Sequence, residues 1–208
     1  MTTESRLSES RVPAAGVALV ASSAWLRRAG VVLAGSLFVA ACAHVALPLY
    51  FTPVPLTLQP FAVLLLGLLL SPRLAAAALL AYLGEGAIGL PVFSPGPASA
   101  PGLAHLFGPT GGYLLAYPVA AMLISLLFRL RSRGFSWALA SAAVGNLVIL
   151  SGGALWMVAL THASLPMVLT QAFFPFLPGD ALKVVAAAAL ATEWQRLRHR
   201  NSPSSPAN

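Results

Sequence analysis

The chain has 208 residues, of which 58% are hydrophobic and 8% are charged, and its mean hydropathy is +0.84. A soluble domain carries roughly 25% charged residues, so this composition excludes a soluble domain and indicates an integral membrane protein. The net charge of +7 does not indicate nucleic-acid binding, because the arginines occur in small separated groups beside apolar segments. That arrangement is typical of membrane topology and of contact with anionic lipid.

Six apolar segments follow one another along the chain, each close to the ~20 residues that a spanning helix needs. The predicted fold is an all-α integral membrane protein with six transmembrane helices. A short, partly buried helix is predicted before the last span, over Met167–Phe176. We predict one membrane domain over residues 25–195, a polar, weakly structured tail over 1–24 and a disordered tail over 196–208. The six spans are predicted over residues 29–47, 56–71, 73–90, 109–128, 136–160 and 176–194.

The arginines predict the orientation of the helices. They lie before the first span, between the second and third, between the fourth and fifth, and after the sixth. The intervening connections, 48–55, 91–108 and 161–175, contain neither arginine nor lysine. Cytoplasmic loops are enriched in both residues, so both termini are predicted to be cytoplasmic. The arginines concerned are Arg27, Arg28, Arg73, Arg129, Arg131, Arg133, Arg196, Arg198 and Arg200.

The most informative residue is Lys183, the only lysine, which lies in an apolar run three residues after Asp180. Residues at this spacing project from the same side of a helix, and each charge buried in a membrane costs on the order of 3 kcal/mol. Glu85 adds a third acid, about 18 Å along the third span from Arg73, so all three are predicted towards the outer face. Two simpler interpretations stay open: the pair only neutralises itself, or Asp180 caps the helix after Pro178.

Such a group of charges suits a particular kind of ligand. An ammonium and a carboxylate on one face, between apolar walls, match a small amphipathic molecule with an anion at one end and hydrogen-bond donors at the other. Lys183 would hold the anion as a point charge, and Asp180 would accept from N–H groups. A vitamin-like solute has this chemistry.

Three further segments contain candidate polar contacts. The prolines in Phe51–Gln59 predict an extended path that either covers a cavity as a lid or simply connects two spans. Gly108–Tyr113 begins the fourth span, and its glycines favour close helix packing or a wall of the ligand site, to which Thr110 and Tyr113 bring hydroxyls. Asn146, in the fifth span, is expected to bond across to another helix.

Neither a metal site nor a resident cofactor is predicted. The single cysteine, Cys42, excludes an intramolecular disulfide and a cysteine cluster, and the four histidines share no ligand spacing. The chain also lacks the phosphate-binding motif G-x-x-x-x-G-K-[ST]. An ATP-driven process would therefore need partner proteins.

Four motifs carry a resemblance to a known family. They are Pro53-Val-Pro-Leu-Thr-Leu-Gln59, Gly86-Ala-Ile-Gly-Leu-Pro-Val-Phe93, Gly108-Pro-Thr-Gly-Gly-Tyr113 and Pro175-Phe-Leu-Pro-Gly-Asp180-Ala-Leu-Lys183. In order and spacing they resemble the BioY family of biotin transporter substrate-binding subunits, which are S components of energy-coupling factor (ECF) transporters. The resemblance covers about residues 29–192.

The resemblance implies an S-component-like bundle in a bacterial cell membrane that captures biotin from outside and is not an enzyme. The implied partners are biotin, a transmembrane T component and two cytoplasmic ATPases, which would use the ATP. By the same resemblance, Asp180 would contact the ureido ring of biotin and Lys183 its valerate carboxylate. The candidate substrate-binding residues are Gln59, Glu85, Thr110, Tyr113, Asn146, Asp180 and Lys183.

Small residues on the first span predict a docking surface. Gly30 with Ala34, and Ser36 with Ala40, have the small-xxx-small spacing that lets another helix approach closely. The resemblance implies that this face docks the T component, although packing within the chain would explain the spacing equally well. Three other functions stay open: an S component for a different vitamin, a membrane enzyme acting on a small amphipathic acid, and a scaffold subunit.

Overall fold

The structure, a computed structural model, describes residues 14–96, 100–131 and 134–200. Side chains are described from Ala24 onward, except that of His199. Arg133 and the ends of both predicted tails, 1–13 and 201–208, lie outside the described residues. The described chain is almost entirely helical. Its helices are α1 (Ala14–His44), α2 (Gln59–Leu69), α3 (Pro72–Ala87), α4 (Leu103–Leu106), α5 (Gly111–Arg129), α6 (Phe135–Thr161), α7 (Leu165–Ala172) and α8 (Leu177–Arg200).

A helix corresponds to each predicted span, but the second and third are shorter than predicted. α2 has 11 residues and α3 has 16. Leu56–Thr57, predicted as the start of the second span, instead forms strand β2, which pairs antiparallel with strand β1 (Ala46–Leu47). Proline in the first turn sets where α2 and α3 begin, because it cannot donate a backbone hydrogen bond within a helix.

Among the described residues, four segments are long and apolar enough to cross a membrane. They cover Ala24–His44, Gly111–Arg129, Phe135–Thr161 and Leu165–Arg198. The last of these includes α7 and a 3₁₀ turn at Phe174–Phe176, so the short helix predicted over Met167–Phe176 is confirmed in type and begins slightly earlier. α8 continues to Arg200, beyond residue 195, where the sequence places the end of the membrane domain.

Helix α2 lies at the centre of the fold. Its residues Ala62, Val63 and Leu64 are fully buried. One core cluster joins α2 to α1, α3, α5, α6 and α7, and a second joins it to α5, α6 and α8. Neighbouring helices therefore surround α2, so its backbone polar groups need not reach the membrane surface.

Large apolar side chains are exposed on the surface of the helices, whereas some charged and polar side chains are buried inside. Leu37, Leu155 and Leu182 are 63%, 65% and 74% exposed, whereas Asp180 is 2% exposed. An exposed surface this rich in large apolar side chains is a liability in water and is expected in contact with lipid.

The ends of α2 and α5 are joined at the arginine-rich end of the molecule. Ser125 Oγ donates to the Leu70 carbonyl at 2.6 Å, and Arg129 Nη2 donates to the same oxygen at 3.3 Å. A basic side chain at the C-terminus of a helix satisfies a carbonyl that has no partner within the helix. Here the arginine of one helix stabilises the end of another.

Glycines let α5 and α6 approach closely. A Cβ atom on Gly112 would lie 2.1 Å from Trp156 Cβ and 2.5 Å from the Gly152 carbonyl oxygen. The glycines of the Gly108–Tyr113 motif thus serve helix packing, which was one of the two interpretations of that motif.

We expect Gly112→Ala to lower the free energy of unfolding by about 1–3 kcal/mol, because the added methyl group meets backbone that cannot move aside. Gly84→Ala is the matched control, since a Cβ there meets nothing within 4 Å. Thermal unfolding of the purified protein in detergent measures the difference. Equal midpoints for the two variants would contradict the close α5–α6 contact.

Candidate substrate-binding site

A small cavity lies at the end of the molecule opposite the arginines, between the β1–β2 hairpin and helices α2, α5, α6 and α8. Its volume is about 40 Å³. Polar and apolar residues both line it, and the hairpin segment predicted as a lid or connector supplies part of the wall. The lining residues are Val54, Pro55, Thr57, Gln59, Pro60, Ser94, Thr110, Tyr113, Leu114, Tyr117, Ile149, Leu150, Phe176, Asp180 and Lys183.

A buried ion pair dominates the cavity wall. Lys183 Nζ donates to Asp180 Oδ1 at 2.7 Å, and the two residues are 9% and 2% exposed. The pair forms because both residues lie in the first two turns of α8 and face the same side. Asp180 is inside the helix rather than at its N-cap, so the capping interpretation does not describe its contacts.

Asn146 approaches the ion pair from α6. Its Nδ2 donates to Asp180 Oδ2 at 3.3 Å, which confirms the predicted bond from the fifth span to another helix. Within the described part of the chain, Asn146 Oδ1 is buried without a hydrogen-bond partner. Asn146 does not line the cavity itself; it contacts the site through the carboxylate.

Hydroxyl groups from α5 surround the same cavity. Tyr113 OH donates to the Ala172 carbonyl, which holds α7 against α5. Tyr117, one helical turn later, donates to Gln59 Oε1 at 3.5 Å. Tyr117 was not among the predicted site residues, although its spacing of four from Tyr113 is a signal that could have found it. Ser94 and Phe176 also line the cavity and were not predicted as site residues, although Phe176 lies within the fourth family motif.

Glu85 does not line the cavity. Its Oε1 lies 2.7 Å from Ser36 Oγ on α1, and its Oε2 is buried with no hydrogen-bond partner in the described residues. The structure therefore separates the third predicted acid from Asp180 and Lys183. Glu85 joins α3 to α1.

The predicted docking residues divide between two sides of α1. Gly30 and Ala34 are exposed, and Gly30 has nothing within 4 Å of the position of a Cβ atom. Ser36 and Ala40 are 0% and 8% exposed and pack inside the protein. Two residues along a helix correspond to a rotation of about 200°, so the two pairs cannot share one face.

The connection between α3 and α5 packs against α3. His105 is 5% exposed and stacks on Phe93, with ring centroids 4.7 Å apart, and burial lowers the pKa of this imidazole. Among the described residues, no three His, Cys, Asp or Glu side chains lie close enough together to hold a metal ion.

Comparison with known proteins gives consistent matches. The sequence profile of the BioY family matches residues 10–200. A probable biotin transporter BioY of Pyrococcus horikoshii is 38% identical over 143 residues, covering 69% of this chain and 82% of the relative. The biotin transporter BioY of Thermotoga maritima is 35% identical over 155 residues, covering 74% of this chain and 88% of the relative.

The fold also matches a solved structure. The 2.1 Å crystal structure of the S-component for biotin from an ECF-type ABC transporter superimposes with a TM-score of 0.76. The match covers 84% of this chain and 93% of that one, at 24% sequence identity. This likeness establishes the fold.

The buried ion pair generates a prediction about stability. We expect Asp180→Ala to destabilise the protein by about 3–5 kcal/mol, because Lys183 would be left buried without its partner. The double variant Asp180→Leu with Lys183→Met should be more stable than Asp180→Ala alone, because it leaves no unpaired charge. Thermal unfolding in detergent compares the two, and a double variant that unfolds below the single variant would contradict the pairing.

Proposed function

Because the chain belongs to the BioY family, we propose that it captures biotin from the outer side of the membrane for ATP-driven uptake. The observation that carries the proposal is the buried Asp180–Lys183 pair on the wall of an apolar cavity. An apolar replacement would avoid the cost of burying two charges, so a ligand that uses both charges accounts for their presence. The related proteins described above are named as biotin transporters.

The proposed contacts follow from the polarity of biotin. Its valerate carboxylate would bind Lys183 as a point charge, and its ureido N–H groups would donate to Asp180. Asn146 would orient the Asp180 carboxylate from behind. Thr110 and Tyr113 would offer hydroxyls from α5.

Glu85 is left out of the proposed site. It is bonded to Ser36 and is not among the lining residues. Without Glu85, the proposed site contains one acid and one base, so bound biotin adds a single negative charge to a neutral pair.

Binding would require the lining to move. A cavity of about 40 Å³ holds roughly three water molecules, whereas pockets for small organic ligands span about 300–1,000 Å³. The segment Phe51–Gln59 is the element best suited to open, because Phe51 at its tip is exposed while Val54 and Thr57 line the cavity. We propose that this segment acts as the lid.

The proposed topology has six spans with both termini in the cytoplasm of a bacterial cell. α2 and α3 would complete the six although they are short, because other helices surround α2. The arginine-rich end would face the cytoplasm by the positive-inside rule. The cavity would then open to the outside.

The proposed partners are a transmembrane T component and two cytoplasmic ATPases. Gly30 and Ala34 are the part of the predicted docking set that is exposed on α1. Small residues at this spacing allow close approach of a second helix in lipid. The proposed docking surface therefore keeps these two residues and omits Ser36 and Ala40.

Isothermal titration of the purified protein with biotin tests the proposed function. We expect saturable binding, with biotin identified by mass spectrometry in protein purified from cells that have access to it. Absence of binding by folded protein would overturn the assignment, and tighter binding of a different vitamin would redirect it to that ligand.

The role of Lys183 can be separated from general damage to the site. Lys183→Ala should weaken biotin binding by about 2–5 kcal/mol, because the ligand carboxylate would be desolvated without a partner. Biotinamide lacks the carboxylate and should lose much less affinity in the same variant. Equal losses for the two ligands would exclude Lys183 as the carboxylate contact.

Docking can be tested without disturbing the cavity. Ala34→Leu should abolish co-purification with the T component while biotin affinity stays within about threefold, since bulk separates helices that need close contact. Ala140→Leu, at an exposed position on α6, is the matched control and should leave co-purification intact. Loss of the complex in both variants, or in neither, would contradict docking through this face of α1.

A further inference from the structure

Gln59 occupies an unusual position at the first residue of α2. It is 3% exposed, lines the cavity and is bonded through both ends of its side-chain amide. Nε2 donates to Tyr82 OH, and Oε1 accepts from Thr57 Oγ1 at 3.2 Å and from Tyr117 OH at 3.5 Å. The amide is therefore held by three elements of the fold.

The backbone carbonyl of Val92 determines which end of the Gln59 side-chain amide faces Tyr82. Tyr82 OH donates its single proton to the Val92 carbonyl at 3.1 Å, and a carbonyl can only accept. Tyr82 must then act as an acceptor towards Gln59, so the group that meets it has to be the NH₂ end. The reversed amide would place two acceptors, Gln59 Oε1 and the Tyr82 hydroxyl oxygen, against each other.

This orientation leaves a donor at the cavity wall. The NH₂ group has two N–H bonds, and within the described residues only the bond to Tyr82 uses one. Asp180, on the lining of the same cavity, supplies acceptors: each of its carboxylate oxygens takes one bond, from Lys183 or Asn146, and keeps further lone-pair capacity. The cavity thus presents an amide donor and a carboxylate acceptor.

We infer that Gln59 donates to the ureido oxygen of the ligand and so selects a cyclic urea, with Tyr82 as the positioning residue that fixes the amide. The inference rests on the proposed function and adds a specificity determinant to it. A urea carries an acceptor oxygen beside its N–H groups, whereas a protonated guanidino analogue carries only donors there. The analogue would bring an N–H group against the Gln59 N–H.

The test compares biotin with 2-iminobiotin, in which the ureido oxygen is replaced by an imino group, at a pH where that group is protonated. Isothermal titration gives the ratio of the two affinities for each variant. Gln59→Glu replaces the donor with an oxygen, and Gln59→Leu removes it. Each should lower the preference for biotin at least about tenfold relative to wild type, because the N–H donor that distinguishes the two ligands is absent.

Two further variants separate this role from a structural one. Tyr82→Phe keeps the ring but frees the amide to turn, so it should lower the same ratio, whereas a purely structural role would weaken both ligands equally. Gln195→Glu makes the same chemical change at the far end of α8, outside the cavity lining, and should leave the ratio unchanged. Desthiobiotin keeps the ureido ring and should follow biotin throughout.

The outcomes distinguish the two proposals. Wild-type protein that binds neither ligand would overturn the proposed function. Wild-type protein that binds biotin, with an unchanged ratio in both Gln59→Glu and Gln59→Leu, would overturn the role of Gln59 alone. A ratio that falls in the Gln59 variants but not in Tyr82→Phe would overturn the positioning role of Tyr82.

Discussion

The rest of the structure depends on one constraint: an ammonium and a carboxylate are kept away from both water and lipid. Asp180 and Lys183 are 2.7 Å apart near the start of α8, and neither charge would be tolerated on the lipid-facing side of that helix. The helix must therefore direct this face towards protein. α2 and α6 supply the covering surface, and the hairpin and the 3₁₀ turn at Phe174–Phe176 complete the cavity wall. The ion pair determines which face of α8 is inside.

The short central helix α2 leaves room for the chain to enclose the ion pair. α2 ends well short of a membrane's thickness, and the chain before it forms the hairpin that covers the cavity. Gln59 lies at the junction between strand β2 and helix α2. It therefore belongs both to the proposed lid segment, Phe51–Gln59, and to the buried core. Its bonds to Tyr82 and Tyr117 connect the hairpin to α3 and α5. A displacement of the proposed lid would therefore alter the arrangement of the cavity's polar groups.

The buried carboxylates of Asp180 and Glu85 have separate polar surroundings. Asp180 lines the cavity, whereas Glu85 and Ser36 form a contact between α1 and α3. Hydrogen bonds between helices replace the hydrophobic drive that is absent in lipid, and this is the role that the Glu85 contact serves here. Near that contact, the exposed residues Leu33, Ala34 and Leu37 of α1 are small or apolar. Ligand binding and partner docking can therefore use different faces of one small bundle.

The sequence by itself determined the membrane class, the helix that corresponds to each apolar segment, and the family, because composition, apolar length and motif order are local properties. It also placed Asp180 and Lys183 on one face, since helical spacing alone fixes that relation. Only the tertiary structure decided which distant residues meet. Helix rotation separates Ser36 from Ala34 and brings Glu85 to α1 rather than to the cavity. Tyr117, Ser94 and Phe176 join the cavity through packing between elements far apart in the chain, and the amide of Gln59 is oriented by the carbonyl of Val92 through Tyr82. A pattern along the chain contains no information about such contacts, because they depend on how the helices are turned and packed.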